Sequence, residues 1–220
     1  MFDGIEALVF DFDGLLMQTE STLLECWRTE WAHHGLDLDV STFFADHAGD
    51  TSEQHYADLA AAVGPGYDRA TSHARRIAHR DVLHASLDLA PGMRRWLDEA
   101  AALSIPLAVA SSSPRAWVEG HLNRCGELSR FTVRAYGDEV PDHKPDPGVY
   151  LLALRRLGVP ASRAVAFEDT PYGAAAAKAA GLRCVAIPNP YMDRTRFTAA
   201  DMVLHSAEQQ SLASVLSSLA

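Results

Sequence analysis

The chain has 220 residues, 48% of them hydrophobic and 22% charged, with 19 Lys+Arg against 29 Asp+Glu and a formal net charge of -10. That size and balance exclude a wholly disordered chain, a collagen-like fibre and a small disulfide scaffold, and leave room for one large domain or a core with an insert. The acidic excess argues against nucleic acid or a membrane surface as partner, although a local cluster can still receive a small anion.

In chain order, residues 5–12 (IEALVFDF) form the first short apolar run. Its aromatic and β-branched content, followed by Gly14, predicts a buried strand. Residues 20–85 contain no comparable run. Leu23, Leu24, Trp27 and Trp31 share one helical face; Tyr56, Leu59 and Val63 suggest a second helix, and 67–86 a third. Gly64-Pro65-Gly66 separates the last two. After this segment the strand pattern returns at 106–113, 130–136, 163–169 and 182–188, and more weakly at 201–206. Helices fall between the strands. Pro91 and Pro114 open two of them, Gly158 ends a third over 147–157, and Gly181 closes a small-residue helix over 171–180. Strand alternating with helix is the pattern of an α/β fold, a doubly wound, Rossmann-like parallel sheet. Here it carries an inserted α-helical unit. The expected division is 1–18 with 88–220 for the sheet domain and 19–87 for the helical one, with hinges at Thr19–Glu20 and Leu89–Gly92.

The N-terminal MFDGIEALVFDFDG has early acids and no basic segment before a long apolar stretch, so it does not read as a signal peptide. No apolar run approaches the ~20 residues of a membrane span. Cys26, Cys125 and Cys184 are odd in number, far apart and without a CxxC pair, as expected of reduced thiols in a cytoplasmic protein.

Ligands of open parallel sheets bind beyond the carboxyl ends of the strands. There this sequence places Asp11 and Asp13, Ser111 to Ser113, Lys144 in DHKPDP, and Glu168-Asp169. Alternate residues leave a strand on one side, so Asp11 and Asp13 face together. Carboxylates crowded without His or Cys call for a hard divalent cation, and Mg²⁺ suits them. Lys144 and the serine hydroxyls add a positive charge and donors for phosphate oxygens. The set predicts phosphoryl transfer through an aspartyl-phosphate, with a neighbouring acid that protonates the leaving alcohol and then deprotonates water. Plainer readings exist for each residue. Asp13-Gly14 is ordinary turn chemistry, Ser113 is expected to cap the helix after Pro114, and Asp169 can complement a helix dipole. Most of the ten histidines read as surface residues; His143, which precedes Lys144, and His47, in the insert segment FADHAGDTSE, carry slightly more weight.

DFDGLL at 11–16, Ser111 after an apolar strand, KPDP at 144–147 and EDTPYGAAAAKAAG at 168–181 resemble, in order and spacing, the four motifs of the haloacid dehalogenase superfamily. The helical insert after the first motif resembles the C1-type cap of its beta-phosphoglucomutase-like branch. The resemblance implies Asp11 as nucleophile and Mg²⁺ ligand, and Asp13 as general acid/base with its backbone carbonyl on the metal. It implies Ser111 and the Ser112 N–H as holders of the phosphoryl group, Lys144 as a bridge between Asp11 and phosphate, and Asp169, with Glu168, as further metal ligands. Asp13 favours phosphate esters, because the dehalogenases and phosphonatases of the superfamily lack that second acid. Beta-phosphoglucomutases carry a histidine after the first motif and an arginine in the cap loop, where this chain has Leu23 and Ser52. Gln18 stands where relatives usually have an aspartate. The expectation is a Mg²⁺-dependent phosphatase acting on a small phosphorylated metabolite, a sugar phosphate first. A hexose-phosphate mutase is the alternative, and a non-catalytic phosphometabolite-binding module follows it. Thr19, Glu20, His47, Arg75 and Arg76 are the candidate substrate residues of a cap that opens and closes.

Overall fold

The computed structural model describes residues 4–44 and 52–219. The six apolar runs form one parallel sheet of β1 (Ala7–Phe10), β2 (Leu107–Ala110), β3 (Phe131–Ala135), β4 (Ala164–Glu168), β5 (Arg183–Ala186) and β6 (Met202–Val203). Their order is β3-β2-β1-β4-β5-β6, so the first strand made lies inside the sheet and the order reverses beside it. That reversal is the switch point at which doubly wound sheets bind ligands.

The chain divides into two compact units, one up to Met17 and from Asp88 onward, the other Gln18–Leu87. The second is helical: α1 (Thr19–His33), α2 (Val40–Phe43), α3 (Ser52–Val63) and α4 (Arg69–Ala85). Leu24, Trp27, Phe43, Phe44, Tyr56 and Leu59 form its core, with the Trp27 and Tyr56 rings edge-on at 4.7 Å. The four-residue α2 is too short to leave a helical period in the sequence, and the sequence reading missed it.

The sheet unit carries α5 (Met93–Ala102), α6 (Arg115–Arg124), α7 (Gly148–Leu157), α8 (Pro171–Ala179) and α9 (Leu212–Leu219). Strand parity separates two kinds of core. Ala7, Val9, Ala108, Ala110, Ala164 and Ala166 pack with Val149, Tyr150 and Ala153 of α7 and Ala174, Ala176 and Ala177 of α8. On the opposite parity Phe10 stacks on Phe167 at 4.6 Å, and Trp96 of α5 meets Phe167 at 5.2 Å. Small residues on the first face let α7 and α8 approach the strands closely, which matters for the site. No helix among the described residues is long and apolar enough to cross a membrane.

Candidate active site

Register brings the first two acids together. Phe10 pairs with Phe167 across β1 and β4, and the Asp11 N–H continues the ladder to the Phe167 carbonyl at 3.0 Å. Asp11 and Glu168 thus follow Val9 and Ala166 on the alanine-rich parity, at neighbouring strand ends. Lys144 reaches them from the loop between β3 and α7. Its ammonium pairs with Asp11 Oδ1 and donates to Glu168 Oε1 at 2.6 Å and to the Ala110 carbonyl at 2.9 Å. Only 7% of the lysine side chain is exposed, so it is no solvated loop lysine. Tyr150 of α7, fully buried, donates its hydroxyl to the same Glu168 oxygen at 2.6 Å.

The other Glu168 oxygen receives the Asp169 N–H at 3.2 Å and the Thr170 hydroxyl at 3.4 Å. Thr170 also caps α8, accepting the Gly173 N–H at 3.0 Å. Gly173 is a close-approach glycine: a Cβ there would stand 2.0 Å from the Glu168 carboxyl carbon. Asp11, Glu168 and Asp169 are all buried, and each offers an oxygen within 4.8 Å of the others.

Burial drives the Asp11 carboxyl up to about 8; Lys144 opposes the shift and Glu168 adds to it. Burial works against the Lys144 ammonium as well, but Asp11 and Glu168 outweigh it and hold the lysine charged. Burial, with Glu168 beside it, raises the Tyr150 hydroxyl well above its ordinary value, so it remains a donor. Three buried carboxylates around one lysine leave the cluster short of positive charge. Oxygen-only donors in this arrangement fit a hard divalent cation.

Asp13 lies near enough to Asp11 to add to its upward shift, and its own oxygens are held by other partners. Its Oδ2 accepts the Ser113 hydroxyl at 2.6 Å and its Oδ1 the Trp117 indole N–H at 2.9 Å. This corrects the expectation for Ser113. Pro114, not Ser113, is the N-cap residue of α6, and the serine hydroxyl is turned to Asp13. Ser111 is buried, and its Oγ accepts the Ser113 N–H at 3.0 Å. Ser112 is partly exposed, and its carbonyl leaves no room for a Cβ on Gly137, which would meet it at 1.9 Å.

Among the candidate substrate residues of the helical unit, Thr19 is buried at the start of α1, its carbonyl taking the Thr22 hydroxyl at 2.7 Å. Glu20 is partly buried in the same turn. Arg75 is engaged by Glu30 through two hydrogen bonds, Nε to Oε2 at 3.1 Å and Nη2 to Oε1 at 2.6 Å. Arg76 is buried over the Trp27 and Tyr56 rings and donates Nε to the Tyr56 hydroxyl at 2.9 Å. His47 lies outside the described residues. His143 is exposed, whereas His84 and His121 are the buried exceptions among the described histidines. Sequence reasoning missed Tyr150 and Trp117. The one signal for Trp117 was an indole donor in the first turn after the serine loop.

The family model described as haloacid dehalogenase-like hydrolase matches residues 8–187. The protein YhcW of Bacillus subtilis (strain 168) is 34% identical over 218 residues, covering 98% of either chain. The fructose-1-phosphate phosphatase YqaB of Escherichia coli (strain K12) is 30% identical over 188 residues, 84% of this chain and 97% of its own. Among solved structures, CbbY from Rhodobacter sphaeroides in complex with phosphate has a TM-score of 0.70 at 34% identity, over 95% of this chain and 98% of that one. A mutant of CbbY in complex with xylulose-(1,5)bisphosphate gives 0.71 at 33% identity over the same shares.

Proposed function

Because the chain belongs to the haloacid dehalogenase-like hydrolases, we propose that it is a Mg²⁺-dependent phosphatase of a small phosphorylated sugar, working through an aspartyl-phosphate on Asp11. The observation that carries this reading is the buried Asp11–Lys144–Glu168 cluster at the switch point of the sheet, with Asp169 and Ser111 at the neighbouring strand ends. The names of YqaB and of the CbbY complexes support the substrate class.

In the first step an Asp11 carboxylate oxygen forms a bond to phosphorus as the bond to the leaving oxygen breaks. Asp13 gives that oxygen its proton. In the second step Asp13 takes a proton from water as the water oxygen attacks phosphorus. The Asp11–phosphorus bond breaks, and inorganic phosphate and the Asp11 carboxylate are regenerated. Lys144 holds Asp11 in position and offsets charge on the transferring group, while the Ser111 hydroxyl and the Ser112 N–H bind its oxygens. Asp11 and Asp169, with the Asp13 backbone carbonyl, would hold Mg²⁺. Glu168 already receives donors from Lys144, Tyr150, Asp169 and Thr170, so it serves chiefly to anchor the lysine. When bound, Mg²⁺ supplies positive charge to the phosphoryl oxygens.

The test is phosphate release from a panel of sugar phosphates with Mg²⁺. Asp11→Asn is expected to lower kcat by about 10³-fold or more with the fold intact by circular dichroism. Turnover equal to wild type in that variant would remove the nucleophile assignment. Conversion of a sugar 1-phosphate to its 6-phosphate would instead establish the mutase. Leu23, where mutases carry a histidine, packs against the helical core and gives that reading no support.

A further inference from the structure

Two donors on two different oxygens fix a carboxylate as one donor cannot. A single hydrogen bond leaves the plane of an aspartate free to turn about χ2, which is a broad torsion. At Asp13 the Ser113 hydroxyl holds Oδ2 at 2.6 Å and the Trp117 indole holds Oδ1 at 2.9 Å. Both arms are themselves braced. The Ser113 N–H is tied to Ser111 Oγ at 3.0 Å, and its carbonyl receives the Gly137 N–H at 3.0 Å. The Trp117 ring packs on the His121 ring with centroids 4.3 Å apart, and His121 Nδ1 bonds the Trp117 carbonyl at 2.9 Å. The same His121 ring meets Phe12, the residue before Asp13, edge-on at 5.9 Å. Asp13 itself sits in a turn closed by Gly14 N–H to the Met17 carbonyl at 2.8 Å.

We infer that Ser113 and Trp117 are positioning residues that clamp the Asp13 carboxylate in the orientation from which it serves the leaving oxygen. The inference rests on the acid/base reading of Asp13 given above. Neither residue is a catalytic residue; each acts through Asp13. Misplacing a proton donor by about an ångström costs on the order of 10²-fold, whereas a leaving group that departs as a stable anion needs no proton. In the first step the clamp therefore matters for alkyl esters and hardly at all for an aryl ester, while the second step, which uses Asp13 as base, is common to both.

The experiment compares fructose 1-phosphate with p-nitrophenyl phosphate in the Mg²⁺-loaded protein. Trp117→Phe keeps a ring on His121 and removes the N–H; Ser113→Ala removes the hydroxyl; Ser113→Thr restores it. The first two are expected to lower the alkyl-to-aryl ratio of kcat/KM, which reports the first step, tenfold or more. Ser113→Thr is expected to recover the ratio. A readout without turnover is the indole N–H resonance of Trp117, identified by its loss in Trp117→Phe and expected to shift in Asp13→Asn. Wild-type activity with an unchanged ratio in both variants, or an indole resonance that ignores Asp13→Asn, overturns the clamp alone. Wild-type protein that releases phosphate from neither ester overturns the phosphatase reading and, with it, the catalytic part of this one.

Discussion

Each unit of the molecule buries a carboxylate against a cation, and the two arrangements differ in their charge balance. In the helical unit Glu30 is 3% exposed and meets one guanidinium, that of Arg75, in a two-pronged contact, with His34 at 3.3 Å. In the sheet unit Asp11 and Glu168 share one ammonium, and Asp169 adds a third buried carboxylate. The first group is balanced by its own chain and finishes with the fold. The second is acid-heavy, and burying uncompensated charge is expensive. That surplus of buried acid is what supports the proposal of a divalent cation at the switch point of the sheet.

The contrast can be broken from either side. Lys144→Met leaves Asp11 and Glu168 without their cation and is expected to cost about 3–5 kcal/mol in urea unfolding without added metal. Added Mg²⁺ should recover part of that loss, because an ion that binds only the folded state stabilises it. Gly173→Ala comes next. Alanine normally improves a helix over glycine by about 0.5–1 kcal/mol, but here its Cβ would stand 2.0 Å from the Glu168 carboxyl carbon. The expected sign is reversed, a loss of about 2–3 kcal/mol by thermal unfolding. Arg75→Met, in the balanced pair, should cost less, about 1–2 kcal/mol, because the arginine side chain is 33% exposed and water replaces part of what it gives.

The smallest effect is the acid response of that pair. Burial raises the Glu30 carboxyl, but Arg75, with Ser72 and then His34, outweighs it and holds the group below its ordinary value. A depressed carboxyl contributes stability that is present above its unfolded pKa, about 4.3, and is lost as pH falls through the folded value. Wild-type protein should therefore lose more stability between about pH 5 and pH 3 than Arg75→Met does. Equal acid slopes would show that Arg75 does not hold Glu30 ionised.

What was legible in the sequence follows the same division. Strand parity and turn residues are local, so the six apolar runs all appear as strands within a few residues of where periodicity put them. Asp11, Lys144 and Glu168 could be read because each ends a strand or punctuates a loop. The side-chain partnerships could not. The Ser113 hydroxyl looked like a helix cap because a serine beside a proline before a helix is ordinary capping chemistry. Its partner Asp13 lies at a sequence separation of 100. Tyr150 gave no signal of its own within the helix over 147–157, and the close approach allowed by alanines on the sheet brings its hydroxyl to Glu168. Arg75 and Arg76 read alike as candidate substrate residues. One is engaged by Glu30 and the other packed over two rings, a distinction set by the arrangement of helices within the unit.

The strand order has a consequence for how the protein is made. β1 pairs with β2 on one side and β4 on the other, so a ribosome must release residues as far as Glu168 before the first strand has both neighbours. The helical unit draws its contacts from one continuous stretch, Gln18–Leu87, which emerges earlier and is of lower contact order. During synthesis the helices should gain protection first, while Asp11, translated before them, stays in water until β4 exists to pair beside its strand. A ribosome-stalled series ending before and after β4 would show that order as a step in protease resistance of the N-terminal strand.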